Sequence, residues 1–276
     1  MHVPIVCKPM GWRSIGAFSC AISLITLPIL PQLQAAVEPQ PDARAIMMQM
    51  AEFLSKAQHM SVTVHGAYDA LQPEGDKVEW NEVRTVTLSR PDHLRIDSER
   101  SDGARSLVLF DGKQITTFDE SGQVYAQAAQ PGGVDETVVH FVRDLGMRLP
   151  LAVLLLGNLP AELQQRVQSV DYVEKTATLG IPAHHLVGRT GTVDFQLWIA
   201  DGNQPLPVRA VLTYRNDPGQ PQFRAEFSDW NLAREPTDST FTFVPPTGAN
   251  KIPFAAALAQ ITPGSKGAPV KKGEKK

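Results

Sequence analysis

Two spacings of apolar side chains organise this chain. Beyond Pro41, Ile46, Met50, Phe53, Leu54 and Ala57 recur every three or four positions, and Asp42 stands ready as an N-cap. That spacing predicts one amphipathic helix reaching Met60. Met47, Met48 and Met50 on it read either as core packing or as a soft ligand surface. After Met60 the period falls to two. Val62, Val64 and Tyr68 share one face; Val78, Trp80, Val86 and Leu88 share another, with Glu79, Asn81, Thr85 and Thr87 opposite. Leu94 and Ile96 continue the alternation. The runs 106–110 and 114–118 flank Asp111-Gly112, a strong hairpin signal, and Ser121-Gly122 turns the chain into Val124-Tyr125.

Gly132-Gly133 interrupts the strands. Val134, Val138, Phe141, Val142 and Leu145 then mark a second amphipathic helix, closed by Gly146 and followed by the apolar run 151–156. Alternation resumes near Val167 and predicts strands over 168–178, 184–189, 192–199, 208–214, 222–232 and 240–244. The expected fold is mainly β within the α+β class: a curved antiparallel sheet, an unclosed barrel of about ten or eleven strands. An N-terminal helix and a helical lid insertion cover it. Strand twist accumulates over so many strands and must curl the sheet.

The first residues ask to be set apart. Lys8 and Arg13 precede the uncharged run 14–30, and Gln34-Ala35-Ala36 offers small residues to a signal peptidase. Residues 1–36 are therefore expected to be a cleaved signal peptide, residues 37–252 one periplasmic domain, and residues 253–276 a disordered basic tail. A run of about 17 residues is at the lower limit for a membrane span, but Pro28, Pro31 and the Ala35-Ala36 exit argue against a retained anchor, so no stable span is expected after cleavage. Both cysteines, Cys7 and Cys20, fall in the leader, and Phe18 makes a poor lipidation signal before Cys20. The mature chain then has no disulfide and no thiolate chemistry. Removing Lys8 and Arg13 from 26 basic residues leaves 24 against 29 acidic ones, a formal charge of −5. That balance excludes a nucleic-acid footprint.

Candidate chemistry is sparse. There is no nucleophile elbow, phosphate loop, zinc-helix motif or dinucleotide fingerprint. His184 and His185 are adjacent on a strand and point to opposite faces. Asp97 with Glu99, and Asp135 with Glu136, read as an exposed strand face and a helix first turn. The expectation is no enzyme, no metal and no cofactor. Apolar area remains: Trp80, Val86, Leu88, Leu94, Ile96, Phe110, Phe118, Phe195, Leu197, Ile199, Phe223 and Phe227 from the sheet, with Val138, Phe141 and Leu145 from the insertion. Periodicity alone favours a filled core among them.

Two segments carry a resemblance. Ser89-Arg90-Pro91-Asp92-His93-Leu94-Arg95 precedes Leu107-Val108-Leu109-Phe110-Asp111-Gly112-Lys113, and Asp238-Ser239-Thr240-Phe241-Thr242-Phe243-Val244-Pro245-Pro246-Thr247-Gly248 closes the pattern. In order and spacing, from about residue 43 to 252, the chain resembles the outer-membrane lipoprotein carriers. It also resembles an uncharacterised group of predicted periplasmic proteins sharing their fold. The resemblance implies an unclosed barrel with a helical lid over an apolar cavity rather than a solid core. Its implied partner is an apolar ligand, a lipid or an acylated lipoprotein. It further implies that Arg90, at the family's Arg-Pro position, helps hold the lid closed. Residues 134–166 are longer here than in the carriers. The same general fold also serves envelope stress regulators, so an envelope protein partner is the alternative. Phe241 and Phe243 read as packing residues.

Overall fold

The computed structural model describes residues 40–144, 149–178, 180–255 and 257. The leader, Leu145, Gly146 and nearly all of the tail lie outside the described residues. Helix α1 (Ala43–Lys56) starts where expected, because the Asp42 carboxylate accepts a hydrogen bond from the Ala45 amide at 3.0 Å. It ends four residues short of Met60, which already belongs to a strand. Met47, Met50, Ala51 and Leu54 form its buried stripe.

Twelve strands form one curved, open sheet. The first six are β1 (His59–Leu71), β2 (Lys77–Ser89), β3 (His93–Arg100), β4 (Arg105–Asp111), β5 (Gln114–Asp119) and β6 (Val124–Ala129). The next five are β7 (Ser169–Thr176), β8 (Ala183–Arg189), β9 (Val193–Ala200), β10 (Pro207–Tyr214) and β11 (Gln222–Asn231). Each set is an antiparallel meander. The two meanders join where β1 pairs antiparallel with β11, Val64 opposite Phe227 and Tyr68 opposite Phe223. A short β12 (Asn250–Lys251) adds in parallel beside β6. The β4–β5 hairpin turns on Asp111, whose carboxylate accepts from the amides of Lys113 and Gln114. Gly112 follows with φ of +82°, and a Cβ there would lie 2.9 Å from the Asp92 carboxylate.

This order dictates what covers the sheet. β6 and β7 lie towards opposite edges, yet they are consecutive strands. The connection between them must therefore cross the whole face. It does so as α2 (Val134–Val139), a π-helical turn over 140–144, a 3₁₀ turn over 152–155, and α3 (Leu159–Arg166). Helix α1 packs on α3, on the 3₁₀ turn and on β7, so all the helical pieces share one side. The main core lies between them and the sheet, built on Met60, Val62, Leu88, Leu94, Ile115 and Leu186.

The other long connection crosses the outer side. Between β11 and β12 the chain passes over β3 and β4, where Phe241 packs with Leu107 and Leu109. Arg95 donates to the Thr240 carbonyl at 3.0 Å, and Phe243 lies against Phe118 and Tyr125. The strand expected over 240–244 is thus a 3₁₀ turn (Asp238–Phe241) and an extended strap. The two phenylalanines alternate because both face the sheet surface, not because a ladder pairs them. Phe254, past the expected end of the domain, packs against the main core.

Candidate ligand cleft

Between the helical cover and strands β9 and β10 the packing leaves a cleft of about 630 Å³. Its floor follows from strand parity. Phe195 and Leu197 on β9 point the same way as Ala210, Leu212 and Tyr214 on β10, through the antiparallel pairs Phe195–Leu212 and Leu197–Ala210. Its roof is the insertion. Val138, Val139 and Val142 come from α2 and the π turn, Leu149 to Leu154 and Leu156 from the segment around the 3₁₀ turn, and Leu163 from α3. Met47 and Met50 of α1 close the back. Leu151 enters the 3₁₀ turn with φ of +66°, a left-handed conformation unusual for a leucine. The rim is polar, with Arg143, Gln165, Arg166, Thr190 and Thr192. A smaller recess of about 220 Å³ adjoins the cleft, sharing Pro150 and Tyr214 with it.

The residues singled out from sequence fall into several places. Val138, Phe195 and Leu197 line the cleft, and Phe223 lines the recess. Val86, Leu88, Leu94, Phe110, Phe141 and Ile199 are buried in the core beneath the cover, with Ile96 half-buried against them. Phe227 is half-buried and stacks on Trp230, with ring centroids 5.8 Å apart. Trp80 is half-buried opposite Tyr68 on the β1–β2 pair. Phe118 faces the outer side beside Phe243.

Arg90 lies at one end of the cover, where three elements meet. Its Nε donates to the Ala57 carbonyl at the C-cap of α1, at 3.1 Å. Its Nη1 is 3.6 Å from Asp135 in the first turn of α2. The Asp135 carboxylate also accepts from the amide of Gly157, between the 3₁₀ turn and α3, at 2.9 Å. Burial lowers the Arg90 pKa and the Asp135 charge opposes that shift. Nη2 is buried and makes no hydrogen bond to the described residues.

Sequence reasoning missed most of the floor and roof. Leu212 and Tyr214 were inside an expected strand, and their parity with Ala210 was the available signal. The roof segment is legible as an apolar run, but which surface it meets is not written in it. Among the described residues no group of three His, Cys, Asp or Glu side chains could hold a metal. No described helix is long and apolar enough to cross a membrane.

No curated protein matches the chain. Among solved structures, it is similar to an uncharacterised conserved protein from Thermus thermophilus, with 12% identity over 76% of this chain and 98% of that one, and a TM-score of 0.44. The lipoprotein LppX from Mycobacterium tuberculosis has 13% identity over 71% and 99% of the two chains, with a TM-score of 0.41. MucB, in the Pseudomonas aeruginosa MucA/MucB complex, has 18% identity over 74% of this chain and a TM-score of 0.39. The chain spans only 62% of MucB's length. Fold similarity at this level leaves the architecture to stand on the strand order and register above. The sequence itself is more decisive: residues 43–255, the helix, both meanders and the closing strap, match one family model, and the chain belongs to the family described as predicted periplasmic protein, DUF2092.

Proposed function

We propose that this protein is exported, loses residues 1–36, and works in the periplasm as a carrier that holds an apolar ligand in the cleft between β9–β10 and the helical cover. The observation that carries the reading is the cleft itself. About 630 Å³ bounded mainly by aliphatic side chains is within the range of small-molecule sites. A cleft of this size and opening exposes its aliphatic lining to water, and a ligand chain removes that surface from water. Each methylene moved from water into such a site contributes about 0.8 kcal/mol, so an acyl chain gains strongly from it. Arg90 is a positioning residue in this reading. By joining α1 to α2, and through Asp135 to Gly157, it holds the cover on the sheet and so governs release.

Native mass spectrometry of protein purified from its own envelope, followed by organic extraction, tests the reading. The expected result is a copurifying apolar molecule in near-stoichiometric amount. An empty protein that also fails to take up a fluorescent fatty acid would remove it. An interaction module is the second reading, favoured by the exposure of Val139 and Val142 at the cleft mouth. It predicts instead that a specific envelope protein protects those two valines from solvent.

A further inference from the structure

The recess beside the cleft is charged where the adjoining floor of the cleft, Phe195, Leu197, Ala210 and Leu212, is apolar. β2 places Glu82 and Arg84 on the same face as Val86 and Leu88, towards the interior. Glu82 is only 3% exposed, and its Oε1 lies 2.6 Å from Arg84 Nη2. That oxygen nevertheless receives no aligned hydrogen bond from the described residues. Space for the carboxylate depends on Gly66 across the β1–β2 pair: a Cβ there would lie 3.2 Å from Glu82 Cγ and 3.3 Å from its Oε1. Tyr68 lines the same recess. Burial, and next the Glu82 charge, raise its pKa, so the phenol stays neutral and its oxygen can accept a hydrogen bond. A buried ion pair is seldom better for stability than apolar packing of the same volume. This one lies in a hollow that shares Pro150 and Tyr214 with the apolar cleft.

We infer that the recess is a headgroup site, and that the ligand is an amphiphile whose polar end carries both charges, an ammonium and a phosphate, with its acyl chain in the cleft. The proposal rests on the carrier reading and adds the ligand class. A recess of about 220 Å³ is too small for a whole lipid but suits a headgroup. Arg84 faces the phosphate, and Glu82 with Tyr68 faces the ammonium. A purely anionic headgroup would bring its charge against Glu82. An uncharged one would leave the pair desolvated without new partners.

Binding of three probes with one common acyl chain, below micelle-forming concentrations, tests this: lysophosphatidylethanolamine, lysophosphatidylglycerol and a monoacylglycerol. The zwitterion is expected to bind about tenfold more tightly than either of the others. In the Glu82→Gln/Arg84→Gln double variant the three should converge to within about twofold. Equal binding of all three to the wild type, or a preference that survives the double variant, overturns the headgroup assignment and leaves the carrier reading standing. Failure of all three to bind overturns both. Should the double variant misfold, the wild-type comparison alone decides, with Tyr68→Phe expected to weaken only the zwitterion.

Discussion

Arg90 and Asp135 face each other across 3.6 Å at the point where α1, α2 and the 3₁₀–α3 junction converge. The pair ties the β2–β3 connection to the cover and is not part of the cleft wall. Its removal should therefore change how fast the cover opens more than how tightly a bound chain packs.

Arg90→Leu takes away the donor to the Ala57 carbonyl and the charge facing Asp135. Losing a hydrogen bond from a charged donor to this part-buried carbonyl costs about 1–3 kcal/mol, while Asp135, partly exposed, regains water. The expected outcome is a lower melting temperature with the fold retained, and a clearly faster release of a fluorescent fatty acid in stopped-flow displacement. Release at the wild-type rate would remove Arg90 from the machinery of retention.

The outer strap offers the converse case. Phe241 is buried against Leu107 and Leu109, and its ring lies 4.9 Å from that of His93. Phe241→Ala is expected to cost about 3–5 kcal/mol and to speed amide exchange along β6, whose edge β12 covers. Ligand affinity, measured with the chain still folded, should not change, because the strap and the cleft are on opposite sides of the sheet.

What could be read from the sequence follows from how each segment meets water. Strands with one wet face show their period openly, so both meanders and the Asp111-Gly112 hairpin were legible. Helix α3 was not, because Leu159 is its only fully buried residue and leaves no stripe to detect. The strap misled for the opposite reason: Phe241 and Phe243 alternate like a strand while packing as isolated anchors. Glu82 and Arg84 did leave a trace, as polar residues on a face whose parity is otherwise apolar from Trp80 to Leu88. Periodicity left no sign of the cleft, which only the resemblance implied, because it forms between two sequence-distant segments, 149–156 and 193–214.

Acid should loosen one corner of the sheet. Burial pushes the Asp69 pKa up, but hydrogen bonds from Arg224 and the Gln222 amide outweigh it and hold the carboxyl below its ordinary value. A group with a depressed folded-state pKa contributes stability that is complete above its unfolded value, about 3.9. That contribution is lost as pH falls through the lower folded value. Asp69→Asn should therefore lower stability at neutral pH and flatten its decline below about pH 4. Denaturant midpoints measured across that range provide the check, and parallel curves for wild type and variant would contradict it.

Gly191 gives the sharpest test of whether the cleft takes ligand through its rim. It lies between Thr190 and Thr192 in the β8–β9 turn and lines the cleft. A Cβ added there would meet nothing within 4 Å, and its φ is outside the left-handed region. A side chain there therefore costs no backbone strain, and its Cβ starts in open space. It also reduces the freedom of the unfolded chain, which favours the folded state slightly. Gly191→Trp is thus expected to leave stability within about 0.5 kcal/mol of wild type, while its indole leans over the opening. Uptake of a fluorescent fatty acid should slow markedly, and Gly191→Ala should behave as wild type. If the tryptophan variant loads at the normal rate, the ligand enters elsewhere or the cleft is not its site. Leu212→Trp, which takes up volume at the cleft floor, separates those outcomes, since it lowers the amount of extracted ligand only if the cleft is the ligand's site.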